Sequence, residues 1–279
     1  MESSGGVRGT DLRFLGALIG SLAFCLLTDV RAWAATVSHS NSLSPLVYTA
    51  ALGEANQLTI SETGSGFLLA DSGAPVTAGT GCSSVDLHTA LCPIGEGVSR
   101  LEIDLRDKDD TVEFPSPTDT GAYFATIYTR NGNDRVFGCR PEPFISLGRG
   151  ADQVSLCPTY QSVVLGGPGP DVLRAAHGLL IFAGGEGNDV LVGGTEPDHL
   201  RGGPGRDVLL GRRGRDLLEG KEGPDTLRGG RGRDTLNGGK GNDTLRSWDR
   251  QRDQLYGGRG FDRAIWDGLD SVTAVERFG

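Results

Sequence analysis

From Gly166 the chain repeats itself every nine residues, and this period constrains the fold more than any other feature of its 279 residues. Residues 166–174 read GGPGPDVLR and 184–192 read GGEGNDVLV. GGTEPDHLR, GGPGRDVLL, GRRGRDLLE, GKEGPDTLR, GGRGRDTLN and GGKGNDTLR follow without a break to Arg246. The block 175–183, AAHGLLIFA, keeps the spacing and loses the motif; the ten residues SWDRQRDQLY precede a last copy, GGRGFDRAI, at 257–265. Self-similarity at a short fixed period is the mark of a solenoid, in which each unit contacts only its neighbours. The 45 glycines, largely gathered after residue 148, are therefore periodic rather than low in complexity.

The consensus is G-G-x-G-x-D-x-U-x, with U a large apolar residue. The early glycines allow backbone conformations that strain other residues, so the chain can turn tightly. The last three positions suit a short strand with U pointing inward and its neighbours outward. The U column is Leu173, Phe182, Leu191, Leu200, Leu209, Leu218, Leu227, Leu236, Leu245 and Leu255. Burying one leucine contributes roughly 1.5–3 kcal/mol; one turn cannot make a core, but a stack of turns can. Two repeats form a coil of 18 residues with a turn on each edge, so residues 18 apart stack about 4.8 Å from one another.

This stacking lines up the aspartates. One edge carries Asp134, Asp152, Asp171, Asp189, Asp207, Asp225, Asp243 and Asp262, with single-residue insertions expected within 156–165 and 247–256. The other carries Asp198, Asp216, Asp234 and Asp253, and stops where position 180 is leucine. Carboxylates about 5 Å apart repel by roughly 1–3 kcal/mol at dielectrics between water and a protein surface. A hard cation with six to eight oxygen ligands removes that cost. Calcium accepts irregular cages of carboxylates and backbone carbonyls, whereas magnesium demands a strict octahedron. Softer metals want Cys or His, which the motif lacks.

The pattern resembles the RTX, or haemolysin-type, calcium-binding nonapeptide repeats, strongly over 166–265 and fairly over 129–165. The resemblance implies a right-handed parallel β-roll, an all-β two-sided solenoid with an N-terminal β-rich cap or small β domain. It implies several Ca2+ ions, with half of each site supplied by the first six residues of a repeat, and the twelve aspartates above as side-chain ligands. Three departures bear on individual sites. Glu196 replaces the third glycine of its repeat, and Arg212 and Lys221 replace the second of theirs.

The rest of the chain divides accordingly: 1–34 signal peptide, 35–104 β-rich region, 105–265 roll (regular from about 129), 266–279 C-terminal cap. Arg8 and Arg13 precede the apolar run 14–27, too short for a typical membrane span of about 20 residues, and Ala32-Trp33-Ala34 fits a cleavage site. The alternative is a retained anchor. The chain is thus expected to be secreted or on the cell surface, with no stable membrane span after cleavage. Cleavage leaves Cys82, Cys92, Cys139 and Cys157, which allow three pairings; 82–92 and 139–157 are favoured. Cys139 and Cys157 lie 18 apart, at equivalent positions on adjacent coils, within disulfide reach. Residues 36–99 suggest short strands that either cap the roll or form a separate domain. Asp107, Asp109 and Asp110 form a solvated turn or a further ion site, with Asp110 out of phase with Asp134.

No zinc-protease or nucleophile-elbow motif is present, and the four histidines are scattered. The expected role is non-enzymatic: structural, adhesive or surface-associated, with folding coupled to calcium. Two alternatives stay open: the non-catalytic part of a secreted enzyme or toxin-like protein, and an anionic glycan-binding module. The second draws on arginines, among which Arg228 and Arg246 stack, that could grip cell-surface or extracellular polysaccharide. A net charge of −9 disfavours nucleic acid as a partner.

Overall fold

The computed structural model describes residues 35–38, 45–63, 66–93, 100–115, 124–139, 143–157 and 161–275, and the backbone of 277–278. The signal segment 1–34 lies outside the described residues. Within them the chain is all-β, a parallel roll of two facing sheets, and each coil gives one strand to each. No helix among these residues is long and apolar enough to cross a membrane.

Most strands of the repeats are longer than three residues because they run on into the glycines of the following repeat. Val208–Arg213, Thr226–Arg231 and Thr244–Ser247 lie side by side in one sheet; Leu217–Glu222, Thr235–Lys240 and Gln254–Arg259 do so in the other. The register is one coil: Leu209 pairs with Leu227 and Leu227 with Leu245, while Leu218 faces Leu236 in the opposite sheet. Steps of 19 occur at Val154↔Leu173 and Leu236↔Leu255, in agreement with the expected insertions. Every residue of the U column is fully buried, so the leucine ladder fills the space between the sheets.

The described residues of 35–104 are built onto the same two sheets and the same core. Leu46–Thr49 pairs in parallel with Arg100–Asp104, and Gln57–Thr63 with Thr111–Phe114, so 46–63 is one more coil. From it, Gly66–Asp71 and Thr89–Pro93 extend the sheet as antiparallel strands. At the other end Ser271–Thr273 pairs with Gln254–Arg259, and Val272 and Val275 pack against the core.

Both favoured cysteine pairs are at bonding distance, with Cα separations of 4.2 Å for Cys82–Cys92 and 4.6 Å for Cys139–Cys157. Cys139 and Cys157 follow the paired residues Gly138 and Leu156 on adjacent coils. The second pair therefore staples one turn to the next.

Candidate metal centre

The aspartates of the motif sit where each coil turns from one sheet to the other. All twelve are buried, none more than 3 % exposed. A buried carboxylate needs partners, and the coil geometry satisfies one oxygen in a regular way. The backbone N–H of each aspartate donates to Oδ1 of the aspartate one coil on: Asp189 to Asp207 (2.9 Å), Asp207 to Asp225 (2.8 Å), Asp225 to Asp243 (2.8 Å). The second edge repeats this from Asp198 to Asp216 (2.9 Å) and Asp216 to Asp234 (3.0 Å).

The other oxygen is left over. Oδ2 of Asp134, Asp152, Asp171, Asp189, Asp207, Asp216, Asp225, Asp234 and Asp243 is buried with no hydrogen-bond donor. Two aspartates differ: Asp198 Oδ2 accepts from Gly194 N (2.7 Å), and Asp253 Oδ2 accepts from the Ser247 hydroxyl. The orphan oxygens of Asp171, Asp189, Asp207, Asp216, Asp225, Asp234 and Asp243 face the first glycine of their own repeat. A Cβ placed on Gly202, Gly211, Gly220 or Gly238 would come within 3.0 Å of both that oxygen and the carbonyl oxygen of Gly220, Gly229, Gly238 or Gly257 on the next coil. Glycine here keeps open a cradle lined by a carboxylate and a neighbouring backbone carbonyl.

Burial penalises the charged form of these carboxylates. Burial, and secondarily the neighbouring acids, push Asp171 and Asp216 up to about 8. Asp207, Asp225 and Asp234 rise to about 7, and Asp152, Asp189, Asp198 and Asp243 to about 6, again chiefly through burial. Asp134 and Asp253 shift upward for the same reason. The backbone N–H donors oppose this rise and do not cancel it. A cation in the cradle would hold these groups ionised. Among the described residues no three His, Cys, Asp or Glu side chains gather at one point. Beside the carboxylate oxygen the cradle offers backbone carbonyl oxygens, a donor set that suits a hard ion of flexible coordination such as calcium.

The columns are longer than the sequence reading made them. Asp110 is not out of phase: it is buried, and its N–H donates to Asp134 Oδ1 (2.8 Å). The extra residues of the 24-residue step fall between the strands Thr111–Phe114 and Phe124–Asn131, so the turn itself keeps register. Asp110-Thr111-Val112 carries the D-x-U of the repeat, which is the signal that could have identified it. Above it the column ends in a neutral residue. Asn56 donates its N–H to Asp110 Oδ1 (2.7 Å), and Tyr48 hydrogen-bonds Asn56 Oδ1 (3.2 Å) and Asp71 Oδ2 (2.6 Å). On the other edge Asp253 N donates to Asp270 Oδ1 (3.0 Å), at a 17-residue step that hid Asp270 in the tail. Upstream of Asp198 that edge turns non-acidic through Leu180, Ser162, Pro143 and Ala125.

The three departures also have places. Arg212 and Lys221 take the second-glycine slot at φ of 77° and 87°. Glu196 turns its carboxylate back onto Gly178 N (2.9 Å). His199 contacts Glu219 (3.0 Å) and His177 contacts Thr195 (3.2 Å), so neither faces a cradle. Arg228 and Arg246 are register partners on an exposed sheet face.

Comparison with curated proteins and with solved structures gives no match. Against family models, residues 183–218 and 211–245 match the RTX calcium-binding nonapeptide repeat (4 copies), a repeat that binds calcium. The coils over these residues thus carry the RTX calcium-binding nonapeptide repeat.

Proposed function

We propose that this chain is an exported, non-enzymatic protein that binds several calcium ions along both edges of its roll and needs them to hold the roll together. The observation that carries this reading is the orphan Oδ2 of Asp171, Asp207, Asp216, Asp225 and Asp243, each beside a glycine carbonyl of the next coil. The ligands are Asp134, Asp152, Asp171, Asp189, Asp207, Asp225, Asp243 and Asp262 on one edge, and Asp198, Asp216, Asp234 and Asp253 on the other. An ion lodged between coils would neutralise a charge that burial otherwise penalises and would tie each turn to the next. If each site has a dissociation constant of about 10⁻⁴–10⁻³ M, a tenfold excess of calcium adds about 1.4 kcal/mol per independent site. Extracellular calcium reaches such levels and cytosolic calcium does not, which fits removal of residues 1–34 on export and a mature start near Ala35. Residues 35–104 act as the cap of the roll and 266–279 close its other end.

A structural or adhesive role at the cell surface follows, with extracellular polysaccharide as the partner class. The pairing of Arg228 with Arg246, neither of them in an ion pair among the described residues, favours that partner. Native mass spectrometry in calcium tests the central reading. Several ions per chain are expected, and fewer in Asp207→Ala; a wild-type chain carrying none would refute it.

A further inference from the structure

Five arginines meet in one groove on the outside of the roll. Arg228 pairs with Arg246, and Arg213 with Arg231, on neighbouring strands; Arg212 lies beside Arg213. With Trp248 they line an open groove of about 890 Å³, at the upper end of the range for ligand sites. None of the five arginines forms an ion pair among the described residues. The groove contains one carboxylate, Asp249, but its oxygens accept from Gly232 N and Gln251 N, both at 2.8 Å. Five guanidinium groups against this single carboxylate leave a cationic excess for something outside the chain.

Two further features mark the groove. Arg212 holds a left-handed φ of 77° in a slot that other repeats give to glycine, as at Gly230 and Gly239. Side chains kept at such backbone positions cluster where function needs them. Trp248 is 72 % exposed, so its ring is spent on no core contact.

We infer that this groove binds an anionic polysaccharide, and that calcium assembles it. Guanidinium groups recurring once per coil, about 4.8 Å apart, match a linear polymer with regularly spaced charges. The planar fork grips a carboxylate or sulfate through two parallel hydrogen bonds. The indole face of Trp248 packs on the apolar face of a sugar ring. Single-stranded nucleic acid is recognised by stacking successive bases on several aromatics, and Trp248 is the only aromatic lining the groove. The net charge of −9 further opposes a long nucleic acid.

The calcium dependence rests on the ion-binding reading above. Arg212 and Arg213 belong to the turn that ends in Asp216, and Arg231 to the turn that ends in Asp234. Ions that order these turns also place the guanidinium groups, so by linkage the polymer must raise calcium affinity in return.

Binding of the full chain to immobilised heparin, neutral dextran and duplex DNA at physiological salt tests this, in calcium and in chelator. Heparin alone should be retained, and only in calcium. Arg228→Ala/Arg246→Ala should weaken retention at least tenfold, and Trp248→Ala should weaken it without changing its salt dependence. Both variants should take up as much calcium as wild type, which shows that the roll is intact. No retention of heparin, equal retention of DNA, or no effect of the arginine variant would each overturn the groove. Retention through Arg228 and Arg246 by a wild type that takes up no calcium would overturn the coupling and leave the groove standing.

Discussion

Replacing Asp225 by asparagine should stabilise the roll without calcium and destabilise it with calcium. Without ions, Asp225 is buried, its Oδ1 accepts from Asp207 N (2.8 Å), and its Oδ2 has no donor. Burial, then the charges of Asp207 and Asp243, push its carboxyl from 3.8 up to about 7. Each pKa unit is worth about 1.4 kcal/mol, so ionisation of this one group at pH 8 costs the fold at most about 4–5 kcal/mol. Solvent screening at the coil edge lowers that to about 1–2 kcal/mol. The amide removes the charge, keeps the acceptor for Asp207 N, and places an N–H on the side of the Gly238 carbonyl. In calcium the same change removes a charged ligand, and with it about 1.4 kcal/mol for one site at tenfold excess. Urea unfolding at pH 8 in chelator and in saturating calcium, with ions counted by calorimetry, measures both. The unfolding free energy should rise by about 1–2 kcal/mol in chelator and fall by about 1–3 kcal/mol in calcium, with at least one ion lost. A shift of the same sign in both conditions, at unchanged stoichiometry, would reduce Asp225 to a hydrogen-bonding bracket.

Other perturbations separate the contributions further. The motif carboxyls titrate higher in the folded chain than in the unfolded one, chiefly through burial. Their contribution to the calcium-free roll is complete below about pH 4 and disappears as pH rises through about 6–8. Thermal unfolding in chelator should therefore show a higher midpoint at pH 5 than at pH 8, and the reverse order would contradict the buried-acid account. Gly220→Ala puts a methyl into the cradle between Asp225 Oδ2 and the Gly238 carbonyl, 2.6 Å from the latter, without a left-handed φ to confuse the result. It should remove an ion and cost about 1–3 kcal/mol, while undiminished calcium uptake would displace the proposed ion position. Cys139→Ser/Cys157→Ser opens an 18-residue loop on the Asp198 edge, at coils where that edge is non-acidic, at a cost of about 3 kcal/mol. That loss should be equal in calcium and in chelator, and a loss confined to chelator would contradict the division of the edge into covalent and ionic parts.

The roll was legible because one period governs both its core and its acids. Leu209, Leu227 and Leu245 face inward for the same reason that Asp207, Asp225 and Asp243 stack: strict nine-residue spacing fixes both at once. Where spacing varies, the reading failed. Asp110 was set aside because residues added between two strands disturbed the count, although its own turn keeps register. Asp270 was missed because its step is one residue short. The coil at 46–63 left no periodic trace, since Leu46 meets Leu101 only after an antiparallel excursion through 66–93. Tyr48, Asn56 and Asp71, whose hydrogen bonds close the acid column, belong to no repeat and so could not be found by counting. The arginine groove was half visible. The pairings of Arg228 with Arg246 and of Arg213 with Arg231 follow from the period, but that these pairs share one groove with Arg212 and Trp248 is not given by spacing alone.

Calcium titration of the metal-free protein, followed by circular dichroism with the bound ions counted in the same sample, tests the central claim most directly. The account predicts a calcium-dependent gain of β-structure and stability at pH 7–8, saturating with several ions bound per chain. A chain as β-rich and as stable in chelator as in calcium, with no ion bound, would leave the leucine-packed solenoid in place and remove its function as a calcium-binding roll.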